Sequence, residues 1–260
     1  MNAAWRFLDL SFGNAFDNMA LDEALAVGAA KGTSPPTIRL YKWKPSAVSF
    51  GYYQRMSDAF NAEKCKELGV DCVRRLTGGA SVYHDFQGDV TYSVTAPEAL
   101  VPKGLLDSYS LVCSALMKAL SSQGIHSSIG NSNDLMVKGR KVSGNAQTRR
   151  DGYFLQHGTI IYDFDPELNL ELLTLEKPSK ERIESLKSRV ASVRELNPSA
   201  TQAGVVKAIK SSFQEVFGCV DGTLSKEEKS KMRELSMLKY SLPKWNDGSS
   251  GEEERGPCYF

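Results

Sequence analysis

The stretch NDLMVKGRKVSG, residues 133–144, decides the fold of this chain of 260 residues. Leu135 and Val137 alternate with the residue between them, which is compatible with a strand that is buried on one face. Gly139-Arg140 follows as a tight turn, and glycine at the first central position suits the type II′ geometry that joins antiparallel strands. The stretch therefore predicts a β-hairpin.

The second strand of this hairpin begins with a lysine. We expect the two strands at residues 134–138 and 141–143, so that Lys141 is carried on a rigid element. Ser143 and Gly144 follow it, and such small residues leave room for a ligand beside a fixed cation. A solvated hairpin tip would have the same pattern, so this stretch alone leaves both interpretations open.

Composition excludes several classes of protein. The 32 basic and 31 acidic side chains nearly cancel, which argues against a nucleic-acid or membrane surface. No apolar run is long enough to span a bilayer, and the N-terminus lacks the pattern of a secretory signal. We expect a cytoplasmic protein with reduced thiols, because the five cysteines show no paired spacing. They are Cys65, Cys72, Cys113, Cys219 and Cys258.

Helices and strands are intermixed without a regular βαβ alternation. This order predicts an α+β domain with a mixed, mainly antiparallel sheet flanked by helices. We expect a first domain over residues 1–220, and a C-terminal helix with a flexible tail over residues 221–260. The expected helices cover residues 14–31, 57–68, 107–123, 178–189 and 199–217, with a last one starting at Ser225. Outside the hairpin, strands are expected at residues 37–43, 47–52, 71–75, 89–95 and 153–165.

Two further segments combine cations with glycine. RRLTGGASVYHD (74–85) runs from two arginines into a Gly-Gly turn, where backbone N–H groups can approach a ligand. It matches neither the P-loop nor GxGxxG, and a tight turn with surface arginines is the alternative. NAQTRRDGYFLQHGT (145–159) adds Arg149, Arg150 and a histidine. Together these segments suit the binding and activation of a carboxylate or a phosphate.

The histidines suggest no other chemistry. His84 and His157 lack the HxxxH or HxH spacing of a zinc site, so no metal ligands are expected. No Ser–His–Asp arrangement is evident from the spacing either. A lone histidine is often a hydrogen-bonded structural residue, and that interpretation stays open for both.

Four of the motifs, in this order, resemble the lipoate–protein ligase and octanoyl or lipoyl transferase family, which is related to the biotin ligases. They are RRLTGGASVYHD, NDLMVKGRKVSG, LQHGT (155–159) and KSRVASVRELNP (187–198). WRFLDLSFGNAFDNMALDEAL (5–25) and SAVSFGYYQ (46–54) resemble the family too. The resemblance implies an α/β-type acyltransferase domain with a mixed sheet, as in biotin and lipoate protein ligases.

The resemblance also implies roles for individual residues. Lys141 matches the lysine that contacts the carboxyl and the α-phosphate of the acyl-adenylate in the ligases, so it is the expected catalytic residue. The motif at 74–85 looks like the acyl-pocket loop, although the usual third glycine is Ala80 here and the usual HD-x-G-N is altered. The implied substrate- and adenylate-binding residues are Arg75, Gly78, Gly79, His84, Asn133, Asp134, Ser143, Gly144, His157, Gly158 and Thr159.

Two routes of acyl activation remain open within this family. A transferase that takes the acyl group from acyl-carrier protein needs a cysteine thiolate. The stretches that would carry it, IHSSIGNSNDL (125–135) and DPELNLELLTLEKPS (165–179), contain no cysteine. Cys113 falls on the apolar face of a helix, as a core residue does. The expected enzyme is therefore a ligase that uses ATP and Mg²⁺ to activate lipoate or octanoate as an acyl-adenylate.

Other features keep the alternatives in view. SPPTIRLYKW (34–43) and AQTRRDGYFLQHG (146–158) resemble the transferases more closely. A biotin ligase fits less well, because RRLTGG replaces its GRGRRG-type loop. A non-catalytic module that binds lipoyl proteins is a further alternative.

The resemblance implies protein partners as well. The expected acceptors are lipoyl domains, either of a 2-oxoacid dehydrogenase E2 component or of the glycine cleavage H protein. The chain end resembles that of archaeal two-part lipoate ligases, whose accessory domain is a separate polypeptide. We therefore expect a small accessory subunit.

Overall fold

Two β-sheets with helices packed around them make up residues 4–130 and 133–247, the parts of the chain that the computed structural model describes. The strands are β1 (Arg6–Gly13), β2 (Thr37–Trp43), β3 (Ala47–Phe50), β4 (Asp71–Arg74), β5 (Val82–His84), β6 (Asp89–Pro97), β7 (Ser128–Gly130), β8 (Asp134–Val137), β9 (Arg140–Arg150), β10 (Tyr153–Ile161) and β11 (Val220–Asp221). The helices are α1 (Ala15–Ala30), α2 (Met56–Ala59), α3 (Ala62–Glu67), α4 (Leu105–Ser122), α5 (Pro166–Leu173), α6 (Lys180–Lys187), α7 (Val193–Leu196), α8 (Gln202–Phe217), α9 (Lys226–Leu235) and α10 (Pro243–Asn246). A 3₁₀ turn covers Glu98–Leu100, and a π-helical turn covers Ser236–Tyr240.

The larger sheet has the strand order β11-β1-β2-β6-β10-β9-β8-β7, and the smaller one has the order β4-β3-β5. From β2 to β7 every pairing is antiparallel, whereas β1 runs parallel to both of its neighbours. β6 and β10 are buried along nearly their whole length, as expected of central strands covered on both faces. The predicted mixed, mainly antiparallel α+β fold is confirmed.

Helices cover the two faces of the larger sheet. On one face α4 and α8 pack onto a core that includes Tyr92, Leu116 and Phe213. On the other face lies α1, whose Ala15 and Met19 belong to a second core shared with β2, β3 and β4. Helix α1 therefore contacts both sheets and fixes one against the other.

Capping residues define the ends of two predicted helices. The Asn14 side chain accepts a hydrogen bond from the Asp17 N–H at 2.8 Å, so α1 begins where the sequence predicts. Ser225 and Glu228 form the predicted capping box of α9. Glu228 also pairs with Arg6 at 2.7 Å, and this contact attaches the C-terminal helix to β1.

The central hairpin forms with a different turn from the predicted one. Val137 pairs with Arg140, so the two turn residues are Lys138 and Gly139, with φ of +50° and +78°. Two positive φ values are those of a type I′ turn, so the type II′ turn predicted at Gly139-Arg140 is wrong. The second strand is also longer than predicted, because its pairing with β10 continues to Arg150.

Two other predicted segments differ in the structure. The helix predicted at 57–68 is divided into α2 and α3, because Phe60 takes an extended conformation and Asn61 caps a new helix. The tail predicted to be flexible contains α10 at its start, while residues 248–260 lie outside the described part of the chain. Within the described residues, no helix has the length and apolar character needed to cross a membrane.

The end of the described chain is bound to the strand that leads into the Gly-Gly turn. Arg74 donates from Nε to the Trp245 carbonyl at 2.9 Å and from Nη2 to the Asn246 carbonyl at 2.9 Å. The Asn246 side chain accepts from the Arg74 N–H at 2.8 Å. Arg74 also donates to the Tyr52 and Gln54 carbonyls at 2.7 and 2.6 Å, so one guanidinium joins the C-terminus to the loop after β3.

Candidate active site

A cavity of about 1500 Å³ is lined by residues of both sheets. On the small-sheet side it is lined by β3, β5 and the segment before β5, which we call the glycine loop (residues 76–81). On the large-sheet side it is lined by β9 and β10. Residues of α5 and α6 complete the wall. The three predicted segments therefore meet around one cavity.

Backbone pairing on one side and a carboxylate on the other fix Lys141. Its N–H donates to the Arg189 carbonyl at 2.8 Å, and its carbonyl accepts from the Ala191 N–H at 2.9 Å. Its Nζ lies 2.8 Å from Asp134 Oδ1 across the hairpin. The Lys141 side chain is 38% exposed and that of Asp134 is 15% exposed, so the ammonium is positioned and still accessible.

Gly144 allows the lysine to fold over its own strand. A Cβ at Gly144 would lie 2.6 Å from Lys141 Cε and 2.7 Å from its Nζ, so any other residue here would require the lysine side chain to move. The space that the small residues were expected to leave for a ligand is thus partly taken by the lysine itself. Ser143 is fully buried, and its Oγ lies 3.4 Å from Asn145 Oδ1 on the core side.

Asn145 holds the start of the hairpin, a role that the sequence did not indicate. Its Nδ2 donates to the Asn133 carbonyl at 2.6 Å, while Asn133 Nδ2 donates to the Asn145 carbonyl at 2.6 Å. Tyr92 Oη donates to Asn145 Oδ1 at 2.6 Å from the core. A Cβ at Gly158 would lie only 2.1 Å from that Oδ1, so glycine is required at this position for Asn145 to fit.

Arg75 lies behind the glycine loop and holds its backbone. Its Nη2 donates to the Gly78 and Ala80 carbonyls, each at 2.8 Å. Its Nε donates to Thr77 Oγ1 at 3.1 Å. Burial lowers the pKa of Arg75 to about 10, which leaves the guanidinium charged at neutral pH. The loop packs closely against the end of β3: a Cβ at Gly51 would lie only 2.0 Å from the Gly79 carbonyl oxygen.

His84 and His157 each lie between a hydroxyl group and a carboxylate. His84 Nε2 is 2.9 Å from Ser49 Oγ, and its Nδ1 is 2.8 Å from Asp89 Oδ2. The ring also stacks on Trp43, with the centroids 4.1 Å apart. No Ser–His–Asp arrangement is evident from the spacing in the sequence, and the fold brings Ser49, His84 and Asp89 together from three different strands.

The second histidine has a parallel set of partners. His157 Nε2 is 2.7 Å from Thr77 Oγ1, and its Nδ1 is 3.0 Å from Asp22 Oδ2. Burial lowers the pKa of His157. Burial alone would raise the pKa of Asp22, but Arg39, 2.8 Å away, and His157 lower it on balance. Thr159 lies two residues along the same strand, is buried and also lines the cavity.

The four cysteines in the described part of the chain lie away from this cavity's lining. Cys113 is fully buried in α4, its Sγ is 3.8 Å from Asn145 Nδ2, and burial raises its pKa to about 12. Cys65 and Cys72 belong to the core around the smaller sheet. Cys219 is buried with a pKa raised by burial to about 11. A thiolate is therefore disfavoured at Cys113 and Cys219.

Comparisons with known proteins agree with this arrangement. A family model described as the lipoyl protein ligase A/B catalytic domain matches residues 14–214. An octanoyltransferase LipM from Symbiobacterium thermophilum is 31% identical over 95% of this chain and 99% of its own length. The LipM of Clostridioides difficile is 33% identical over 93% of this chain and 98% of its own length.

Solved structures give a similar picture. A bipartite lipoate protein ligase from Thermoplasma acidophilum superposes with a TM-score of 0.83 at 27% identity, covering 95% of this chain and 97% of its own. A lipoate-protein ligase A bound with ATP has a TM-score of 0.80 at 26% identity and covers 95% of this chain and 99% of its own. With its family model, relatives and structural neighbours in agreement, this chain belongs to the family of lipoyl protein ligase A/B catalytic domains.

Proposed function

We propose that this chain activates lipoate or octanoate with ATP and transfers the acyl group to a lysine of a lipoyl-domain protein. One observation carries the proposal: Lys141 stands accessible at a large cavity whose described lining contains no thiol. A fixed cation can neutralise charge that develops on a phosphate or a carboxyl oxygen. Without a thiolate, a mixed anhydride with AMP is the consistent activated form of the acid.

Lys141 and Asp134 have complementary roles in the proposed reaction. The acid's carboxylate attacks the α-phosphorus of ATP, and pyrophosphate leaves. The Lys141 ammonium stabilises the extra charge on the phosphate oxygens in that step. The acceptor lysine amine then attacks the acyl carbonyl carbon, AMP leaves and an amide forms. Asp134, 2.8 Å from Lys141 Nζ, keeps the ammonium in place between these steps.

Mg²⁺ would enter as part of the nucleotide complex. Across residues 4–130 and 133–247 no three His, Cys, Asp or Glu side chains form a metal-binding group. Mg²⁺ commonly binds through substrate phosphates with one or two carboxylates, so its binding does not require a group of three such side chains. When bound, the ion would offset phosphate charge, and the protein's own contribution would be Lys141.

Octanoyl transfer from acyl-carrier protein is the second candidate, and the relatives named octanoyltransferase LipM favour it. This route needs a nucleophilic thiolate that can reach the acyl thioester. The four cysteines in the described part of the chain do not line the cavity, and Cys258 lies outside the described residues. The second candidate therefore makes a specific demand, which is that Cys258 should carry the acyl group.

The proposed partners follow from the same comparison. The Thermoplasma acidophilum ligase was solved as part of a lipoylation system with its E2 lipoyl domain. We propose a lipoyl domain, of an E2 component or an H protein, as the acceptor here. That ligase is described as bipartite. We propose that a small accessory subunit docks near α9 here and closes the cavity, since water exclusion would strengthen the effect of Lys141.

Acyl transfer to a purified lipoyl domain tests these proposals. The full chain is supplied either with lipoate, ATP and Mg²⁺ or with octanoyl-acyl-carrier protein and no nucleotide. Lipoate-dependent exchange of pyrophosphate into ATP, retained in a Cys258→Ser variant, supports the ligase. Transfer from the carrier protein that is lost in Cys258→Ser supports the transferase. Lipoyl-domain binding with no product from either donor, with and without an accessory subunit, would establish a binding module instead.

A further inference from the structure

Two sets of three side chains meet beneath the glycine loop and share one arginine. One set comprises Ser49, His84 and Asp89, and the other comprises Thr77, His157 and Asp22. Arg75 Nη1 donates to Ser49 Oγ at 3.3 Å, and Arg75 Nε donates to Thr77 Oγ1 at 3.1 Å. We call these seven residues the Arg75 network. It connects β3, β5 and β6 with α1 and β10.

Counting donors and acceptors defines the direction of each hydrogen bond in the network. Arg75 can only donate, so both hydroxyl oxygens act as acceptors towards it. Among the described residues, His84 Nε2 is the acceptor within reach of the Ser49 hydroxyl proton, and His157 Nε2 is the corresponding acceptor for Thr77. Each ring is then neutral, and its Nδ1–H donates to its aspartate. In this order Arg75, both hydroxyls and both imidazoles are satisfied, and within the network Asp89 Oδ1 is left without a partner.

The network determines how the glycine loop faces the cavity. Arg75 Nη2 draws the Gly78 and Ala80 carbonyls towards itself. In a trans peptide the N–H points opposite to the carbonyl, so the N–H groups of Gly79 and Ser81 are turned away from Arg75. Gly79 and Ser81 both line the cavity. The buried network thus sets the orientation of two backbone donors at the site.

The order hydroxyl, imidazole, carboxylate also occurs in serine hydrolases, where the hydroxyl is the nucleophile. Two observations argue against that role here. Ser49 lines the cavity but is only 3% exposed, and Thr77 is 0% exposed and does not line it, so both hydroxyls are poorly placed to attack an acyl carbonyl. Each oxygen also accepts a hydrogen bond from Arg75. The hydroxyls therefore act through Arg75 rather than on the substrate.

We propose that Ser49, Thr77, His84 and His157 are positioning residues, which hold Arg75 so that the Gly79 and Ser81 N–H groups meet the reacting carboxyl or phosphate. This inference rests on the proposed acyl-transfer function. The acyl substrate does not touch the hydroxyls, and their loss changes the geometry of the loop. The effect is expected on kcat more than on KM, because the donors face charge that develops during the reaction.

Histidine ring ¹⁵N shifts test the hydrogen-bond order without any activity assay. The full chain has 3 histidines, and exposed His126 serves as the internal reference. From the count of donors and acceptors, we expect His84 and His157 each to carry the ring proton on Nδ1. An Nε2–H form at either ring overturns the proposal. Because this readout needs no substrate, it still tests the network if the chain transfers no acyl group.

Matched variants test the functional consequence in the full chain. Thr77→Val keeps the shape and removes the hydroxyl, whereas Thr77→Ser keeps the hydroxyl. We expect Thr77→Val to lower kcat for acyl transfer roughly 10- to 100-fold and Thr77→Ser to restore most of it. Ser49→Ala tests the set that contains His84 and Asp89. If Thr77→Val does not fold, the Ser49→Ala variant alone provides the test. Wild-type kcat in the folded Thr77→Val and Ser49→Ala variants, or an acyl ester trapped on Ser49, overturns the proposal.

Discussion

The two walls of the cavity hold their cations in opposite ways. On the small-sheet side, Arg75 is buried and donates to two hydroxyls and two carbonyls. On the large-sheet side, Lys141 keeps 38% of its side chain exposed and has one carboxylate partner, Asp134. One cation is fully engaged by the protein, and the other remains available to a ligand.

This difference separates a structural task from a chemical one. A buried guanidinium is stable only when protein acceptors replace its water, so Arg75 must keep its partners. An ammonium that is 38% exposed keeps water as a partner when it leaves a carboxylate, so Lys141 can exchange Asp134 for a substrate phosphate. We infer that the glycine-loop wall is preorganised and that the hairpin wall adjusts during the reaction.

Lys141→Ala should remove the available cation of the hairpin wall and leave the glycine-loop wall intact. We expect lipoate-dependent pyrophosphate exchange to fall about 1,000-fold, because the charge on the phosphate loses its stabilising cation. The free energy of unfolding should change by less than about 1 kcal/mol, since the lysine is half-exposed. Lys138→Asn, in the hairpin turn, is the control and should exchange normally. Near wild-type exchange in Lys141→Ala would refute the assigned role.

Asp22→Asn should destabilise the Arg75 network, which supports the glycine-loop wall. It leaves Arg39 buried without its charged partner, which lies 2.8 Å away. We expect the free energy of unfolding to fall by about 3 kcal/mol, as measured by urea denaturation. Asp163→Asn removes a partner of Arg194 from an exposed pair at 2.8 Å and should cost less than about 1 kcal/mol. Equal losses in the two variants would contradict the larger cost expected for breaking the buried pair.

Gly158→Ala tests the close packing between β9 and β10. Its Cβ would lie 2.1 Å from Asn145 Oδ1 and 2.6 Å from the Gly144 carbonyl. We expect a loss of about 2 kcal/mol in unfolding free energy from overpacking. Gly78→Ala is the matched control, because its Cβ would meet nothing closer than Tyr53 at 3.8 Å. The packing argument fails if Gly158→Ala is as stable as Gly78→Ala.

The pH dependence of stability gives the smallest expected effect. The pKa of His157 is lowered by burial, so the unfolded chain takes up its proton at a higher pH than the folded chain. The contribution of neutral His157 is complete above the unfolded pKa of about 6.5 and is lost as pH falls towards the folded pKa. The melting temperature should therefore drop on acidification below neutrality. His157→Asn should flatten this slope, and His126→Asn, at an exposed ring, should leave it unchanged.

Local patterns were predicted from the sequence more reliably than distant pairings. The Asn14 cap, the capping box at Ser225 and the hairpin around Lys141 depend on residues a few positions apart. The turn type was missed because glycine at either central position fits a two-residue turn, and the register alone decides between them. The Lys138-Gly139 register follows from the Val137–Arg140 pairing.

The hydrogen-bond partners of the site residues could not be predicted from the sequence. Asp22 and His157 are 135 positions apart, and Thr77 and His157 are 80 apart. Asn145 and Tyr92 meet because Gly158 lets β9 approach closely, which no local pattern records. The sequence pointed to cations near glycines, and the tertiary fold determined which cation faces the ligand.

The anchoring of Arg74 has a consequence for where this protein can be shortened. The family model ends at residue 214, but three of the acceptors of Arg74 belong to Trp245 and Asn246. A chain cut after residue 220 would remove these three acceptors from Arg74, one position before Arg75. The segment that the family model matches is thus shorter than the segment whose contacts hold Arg74. Helix α10 therefore supports the glycine loop, as does the strand β4 that precedes the loop.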